Sequence, residues 1–300
     1  MASHPTSIAR PAALANPVAD YRLRVELGTS ARLASAWLAL GIAALVGSGV
    51  FSLLLVLART PGLKDVFPVA NFFQVALVAH VDLSVLVWFL AFAGVLWSLA
   101  CDARGLALAR ASLLLCAAGT LALCAAPLAS PAPPVLANYI PVIDNALFLG
   151  GLAAIGAGVA LAIVRTLWAG RAVGPALDGE AATRWAIRAS AIATAVALGA
   201  FLASGLELSP HLDRRAYFEL LFWGGGHVLQ FTWTLLMLAA WLWLASALGL
   251  RVPLSPRVAA FLSTIALAAV LVTPFIYLAH PVASVEHHKL QTWLMRFGGG

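Results

Sequence analysis

The sequence predicts an all-α fold, a polytopic membrane helix bundle of about seven transmembrane helices. Two observations carry that prediction. Of the 300 residues, 62% are apolar and only 10% are charged, and the mean hydropathy of +0.96 lies far above that of a water-soluble domain. The apolar residues also fall into seven stretches, each long enough to cross about 30 Å of hydrocarbon. A third observation narrows the class. The net charge of +6 comes almost wholly from arginine. In so apolar a chain, arginines are loop anchors rather than nucleic-acid contacts, so membrane lipid and no nucleic acid is the expected environment.

Taken in order, residues 1–31 are polar, contain Pro5, Pro11 and Pro17, and lack an apolar core. They read as a cytoplasmic tail and not as a cleaved signal peptide. Residues 32–300 read as a single transmembrane domain. Its spans are expected at about 32–57, 69–100, 107–128, 140–165, 184–205, 216–248 and 257–280. The linkers "RTPGLKD", "CDARG", "SPAPP", "GRAVGPALDGE", "SPHLDRR" and "RVPLSPR" hold the helix breakers and most of the charge. Cys101, Cys116 and Cys124 are unevenly spaced with no CxxC, which suits small buried residues rather than disulfides or haem attachment. Of the 18 Lys and Arg, about 12 lie in the tail and the loops after the second, fourth and sixth spans or at the span ends beside them. That bias predicts a cytoplasmic N-terminus and places the end of the seventh span outside.

The orientation gives depth to the histidines. His80 and His227 each lie about eleven residues into a span entered from outside, roughly 16 Å deep at 1.5 Å per residue. His287 and His288 follow the seventh span on the same side. A lone histidine in a span is more often an interhelical hydrogen bond than a ligand. Two adjacent histidines with a third at similar depth suit a three-imidazole metal site instead. Gly224, Gly225 and Gly226 run straight into His227, and so little bulk lets a large planar ligand or a neighbouring helix approach. Trp223, Trp233, Trp241 and Trp243 suit packing at least as well as a cofactor wall. Asp82 and Asp144 suit a proton path or a bond to a neighbouring helix equally.

The histidine-bearing segments, in their order, resemble the haem-copper oxidase superfamily, specifically its catalytic subunit I and nearest the C-type (cbb) branch. "VALVAHVDLSVLVWFLAF" is similar to the second helix of that family, "NYIPVIDNALFLGGL" to the fourth, "LFWGGGHVLQF" to the sixth, and "EHHKLQTWLMRFG" to the paired histidines of the seventh. The resemblance implies that His80 is an axial ligand of a low-spin haem and that His227, His287 and His288 hold copper. Gly224, Gly225, Gly226 and Trp223 would then lie against a second haem. It implies a cytochrome c oxidase-type oxidoreductase of a bacterial inner membrane, reducing dioxygen to water with proton translocation. The implied partners are other oxidase subunits and a c-type cytochrome or similar donor.

Two positions depart from that pattern. The tyrosine that A- and B-type members carry four residues after the sixth-helix histidine is replaced by Phe231. The C-type tyrosine, about six residues before the histidine pair, is replaced by Pro281; either Tyr277, one turn earlier, substitutes for it or the tyrosine is absent. The family fold has at least twelve helices, with further haem ligands on the tenth. The chain ends at "RFGGG", near the start of an eighth helix, so truncation of a longer subunit is expected. The alternatives are a nitric oxide reductase-like subunit, a non-catalytic haem or copper membrane protein, and a transporter with histidines in its path.

Overall fold

The computed structural model describes residues 19–25, 28–63, 71–129 and 132–298. The expected tail lies largely outside the described residues, as does the expected start of the second span at 69 and 70. Among the described residues, seven helices are long and apolar enough to span a membrane: Thr29–Leu57 (α1), Phe72–Leu99, Leu106–Ala129 (α4), Ala146–Ala169 (α5), Gly179–Glu207 (α6), Arg214–Ala247 (α7) and Pro256–Ala279. The chain is an all-α, multi-pass membrane helix bundle. The second span is α2 (Phe72–Val81), a π-helical stretch Asp82–Val87, and α3 (Trp88–Leu99). The seventh is broken into α8 (Pro256–Val270) and α9 (Thr273–Ala279), and the break precedes Pro274 at the first turn of α9. A last helix, α10 (Val285–Gly298), follows.

The fourth span starts later than the sequence predicts. Residues 140–145 are not helical. Pro134–Val135 (β1) pairs antiparallel with Val142–Ile143 (β2) in a short hairpin. Asn145 then caps α5, its side chain accepting from the Phe148 amide at 2.8 Å. Pro141 cannot donate a backbone hydrogen bond, which favours the hairpin over a longer helix.

Without a hydrophobic force between helices in lipid, close contact depends on small residues and matched polar groups. The α4–α5 pair shows both. Ser112 Oγ donates to the Gly158 carbonyl at 2.6 Å, and the Gly119 and Gly151 backbones touch where any side chain would intrude. Elsewhere Trp97 Nε1 donates to Ser190 Oγ at 3.0 Å, tying α3 to α6, and Thr194 meets Thr232 at 3.1 Å between α6 and α7. Arg165, only 3% exposed on α5, donates to the carbonyls of Asp102 and Arg104 at 2.8 and 3.1 Å.

Residues 19–25 run as an extended strap across one end of the bundle. Tyr21 is fully buried there; its Oη donates to the Leu254 carbonyl at 2.6 Å and its amide to Ser246 Oγ at 3.0 Å. Thr183 Oγ1 donates to the Tyr21 carbonyl at 2.9 Å. One tyrosine thus joins α6, α7 and the loop before α8.

The α4–α5 seam can be tested with two adjacent glycines. A side chain at Gly151 would meet Leu123, Ala122 and the Gly119 carbonyl, whereas one at Gly150 would meet open space. Gly151→Leu is expected to cost about 1–3 kcal/mol through overpacking and to lower the unfolding midpoint in detergent. Gly150→Leu should leave that midpoint unchanged.

Candidate functional site

The sequence predicts similar depth for His80 and His227, and each lies in the first half of its span. His80 lies eight residues after Phe72, about 12 Å along α2. His227 lies thirteen residues after Arg214, about 20 Å along α7. Both lie toward the bundle end opposite the strap, because Tyr21 grips α7 at its other terminus, at Ser246. His4 falls outside the described residues.

His227, His287 and His288 are brought into one aromatic cluster. The His288 ring lies flat on Trp223 at 3.6 Å, and Trp223 Nε1 donates to the His288 carbonyl at 3.3 Å. The His227 ring sits 4.8 Å from Trp223, one turn further along α7, and 4.8 Å from Tyr139 of the β1–β2 hairpin. Tyr277 of α9 meets the His287 ring edge-on at 4.5 Å, and its Oη pairs with Ser204 of α6 at 3.0 Å. His80 stands apart from this cluster, facing α1.

Three of these imidazoles share one arrangement. His227 Nδ1 lies 2.7 Å from the Trp223 carbonyl oxygen. His287 Nδ1 lies 3.3 Å from that of His280. His80 Nδ1 lies 3.0 Å from that of Ser48, with Ser48 Oγ also at 2.9 Å. A carbonyl can only accept, so each contact sets the proton on Nδ1 and leaves the Nε2 lone pair free. Metal-bound histidines are usually oriented this way. His287 is 2% exposed and its Nε2 is buried without a partner. Burial also lowers the pKa of both His287 and His288, which favours neutral imidazole. The donor set therefore fits a soft or borderline metal ion. Among the described residues, however, no three His, Cys, Asp or Glu side chains converge as a metal-binding group, and His288 is occupied by Trp223.

Of the two readings of the glycines, close approach by neighbouring segments is the one the packing displays. A side chain at Gly224 would collide with Tyr277, at Gly225 with Phe201, and at Gly226 with Tyr139. The three glycines seat three aromatic rings from different segments, which is helix packing. Trp223 likewise packs on His288 and Tyr139.

The two aspartates separate. Asp144 forms a bidentate pair with Arg214, with Nε at 2.7 Å, and so ties the start of α5 to the start of α7. Asp82 opens the π-helical stretch, is 1% exposed, and has an unpartnered Oδ2. Wide π turns recur at functional sites.

Sequence reading missed Tyr139, because loop residues carry no periodic signal. It also missed Gln291, one turn after His287, which is fully buried with both amide atoms unpartnered. Its i+4 spacing from His287 was the available signal.

Tyr139 gives this cluster a pH test. Burial first, and the Glu219 carboxylate second, push its phenol up to about 12. The folded state therefore favours the neutral phenol. Its stabilising contribution is complete below the ordinary value of about 10 and is lost as pH rises from there through about 12. A Tyr139→Phe protein, subtracted from wild type in an ultraviolet phenolate titration, should lack a phase near pH 12. A missing phase near pH 10 would contradict the packing of Tyr139 on His227.

No family model matches the chain, and no solved structure matches it. Among curated proteins, the chain is 26% identical over 252 residues to the uncharacterized protein RP382 of Rickettsia prowazekii (strain Madrid E), covering 73% of this chain and 48% of that protein. It is 31% identical over 212 residues to an uncharacterized protein of Aquifex aeolicus (strain VF5), covering 69% of this chain and 52% of that protein. The chain spans about half the length of the curated relatives it matches.

Proposed function

We propose that this chain is part of a haem-copper oxidoreductase of the terminal-oxidase kind. In this reading His80 is an axial ligand of a low-spin haem, and His227, His287 and His288 are copper ligands. The observation that carries it is the shared arrangement of His80, His227 and His287, each with Nδ1 on a backbone carbonyl and Nε2 free. Haem and copper would supply electron transfer and the reduction of dioxygen to water. The protein's own part is to fix tautomers, hold rings and keep water out. Tyr277, between His287 and Ser204, is the tyrosine best placed to exchange a proton or electron with the site.

The distribution of arginine supports a bacterial inner-membrane location with the N-terminus in the cytoplasm. The histidine cluster would then face the periplasm, where a c-type cytochrome or similar donor docks, and protons for the chemistry and for translocation would cross from the cytoplasm. Other oxidase subunits would complete the assembly.

In the assembled protein, His227→Ala, His287→Ala and His288→Ala should each lose copper and oxygen consumption while keeping the low-spin haem absorbance. Metal analysis that found haem but neither copper nor non-haem iron in the wild type would overturn the three-histidine assignment. Non-haem iron with nitric oxide turnover would instead favour the nitric oxide reductase reading.

His80→Ala should remove the low-spin haem spectrum and leave the chain inserted. An unchanged spectrum would sink the assignment of His80. A protein that binds neither haem nor metal would overturn the whole reading and favour a transporter.

A further inference from the structure

At the strap end of the bundle, a groove of ≈ 340 Å³ runs between α6, α7 and α8. Its floor is made of small residues, among them Ala182, Ala186 and Ala259, and Leu238 and Leu262 form its sides. Trp241 stands at the rim, 61% exposed. All three helices are membrane spans, so this apolar groove faces hydrocarbon. Its lining has one charged residue, Arg251, in the loop between α7 and α8.

The arginines at this end differ in how they are satisfied. Arg22 pairs with Asp20, Arg104 with Asp102, and Arg24 and Arg184 with Glu180. Arg251 is exposed, and among the described residues its guanidinium makes no ion pair or hydrogen bond; the same holds for the guanidinium of Arg257, six residues on. One unpaired cation, Arg251, thus lines the groove where it meets the bundle end, and a second, Arg257, lies in the first turn of α8. The loop that carries Arg251 is held in place, since Tyr21 Oη bonds the Leu254 carbonyl at 2.6 Å. An interfacial tryptophan, an acyl-width apolar channel and an unneutralised guanidinium are the parts of a lipid site selective for negative headgroups.

We propose that this groove binds an anionic phospholipid, with one acyl chain along the alanine floor and the phosphate on Arg251. A zwitterionic lipid fits the same channel but brings its own ammonium toward Arg251 and Arg257, which disfavours it. The bound lipid would bridge α6, α7 and α8 at the end that the strap also ties together.

The test uses the purified full chain, stripped of lipid in detergent and titrated with phosphatidylglycerol or phosphatidylcholine. Lipid adducts are counted by native mass spectrometry, and the unfolding midpoint is followed. Phosphatidylglycerol should be retained about fivefold more tightly than phosphatidylcholine, the effect of about one interfacial charge. Arg251→Gln, a surface change, should bring the two lipids level. Ala245→Phe fills the groove without touching the charge and should weaken retention of both. Inorganic phosphate alone should change nothing. Equal retention of the two lipids by wild type, an unchanged preference in Arg251→Gln, or stabilisation by phosphate alone would each overturn the proposal. So would a photo-reactive residue at position 241 that captured a protein in native membranes instead of lipid.

Discussion

In hydrocarbon no water competes for a polar group, and that one constraint organises this chain. Every backbone amide must be bonded inside the protein, which restricts spanning elements to helices or closed barrels, and this chain uses helices. Every polar side chain between those helices must find a partner or remain costly. Most do find one: Trp97 with Ser190, Ser112 with the Gly158 carbonyl, Arg165 with two loop carbonyls. Against that background the exceptions are informative. Asp82 Oδ2 and Asn145 Nδ2 are buried and unpartnered at separate places, while Thr273 Oγ1, His287 Nε2 and both amide atoms of Gln291 are so on α9 and α10. Tyr277 already touches His287. One turn back along α9 from Tyr277 is Thr273, and one turn forward along α10 from His287 is Gln291. Among the described residues, four of the six unpartnered atoms therefore follow one seam that begins at the histidine cluster.

The same constraint explains what can be read from sequence. Span length and hydropathy are set by the bilayer, so seven spans are legible, and most ends fall within a few residues of their expected places. The fourth span is the exception, because residues 140–143 are as apolar as a helix start. What separates them is hydrogen bonding, namely the strand pairing with residues 134–135 and the Asn145 cap. The break between α8 and α9 is signalled by Pro274, but hydropathy runs through it unchanged. The π-helical stretch after His80 has no sequence signature, because Val, Leu and Ser suit an α-helix equally.

The site is legible in its histidines and not in what surrounds them. Polar residues in an apolar run stand out by cost alone, which is why His80, His227 and the 287–288 pair can be named. Their carbonyl partners cannot, since a backbone oxygen has no residue identity. The glycines are only half legible for a related reason. Sequence shows that Gly224, Gly225 and Gly226 leave space but not what fills it, and Tyr277, Phe201 and Tyr139 come from segments as much as 87 residues away.

Two kinds of cohesion are kept apart in the bundle. The α4–α5 pair is joined by backbone contact at Gly119, Gly151 and Gly158, where shape leaves no freedom. The histidine end is joined by rings: Trp223 on His288, Tyr139 on His227, Tyr277 against His287. Ring contacts tolerate sliding and tilting more readily than backbone in van der Waals contact. A bundle anchored through α4 and α5, and by the Tyr21 strap at its far end, can keep its shape while imidazoles at the other end reorient. Gly225 adds a backbone contact with Ala197 even there, so the rings of the histidine end are seated on a close α6–α7 approach.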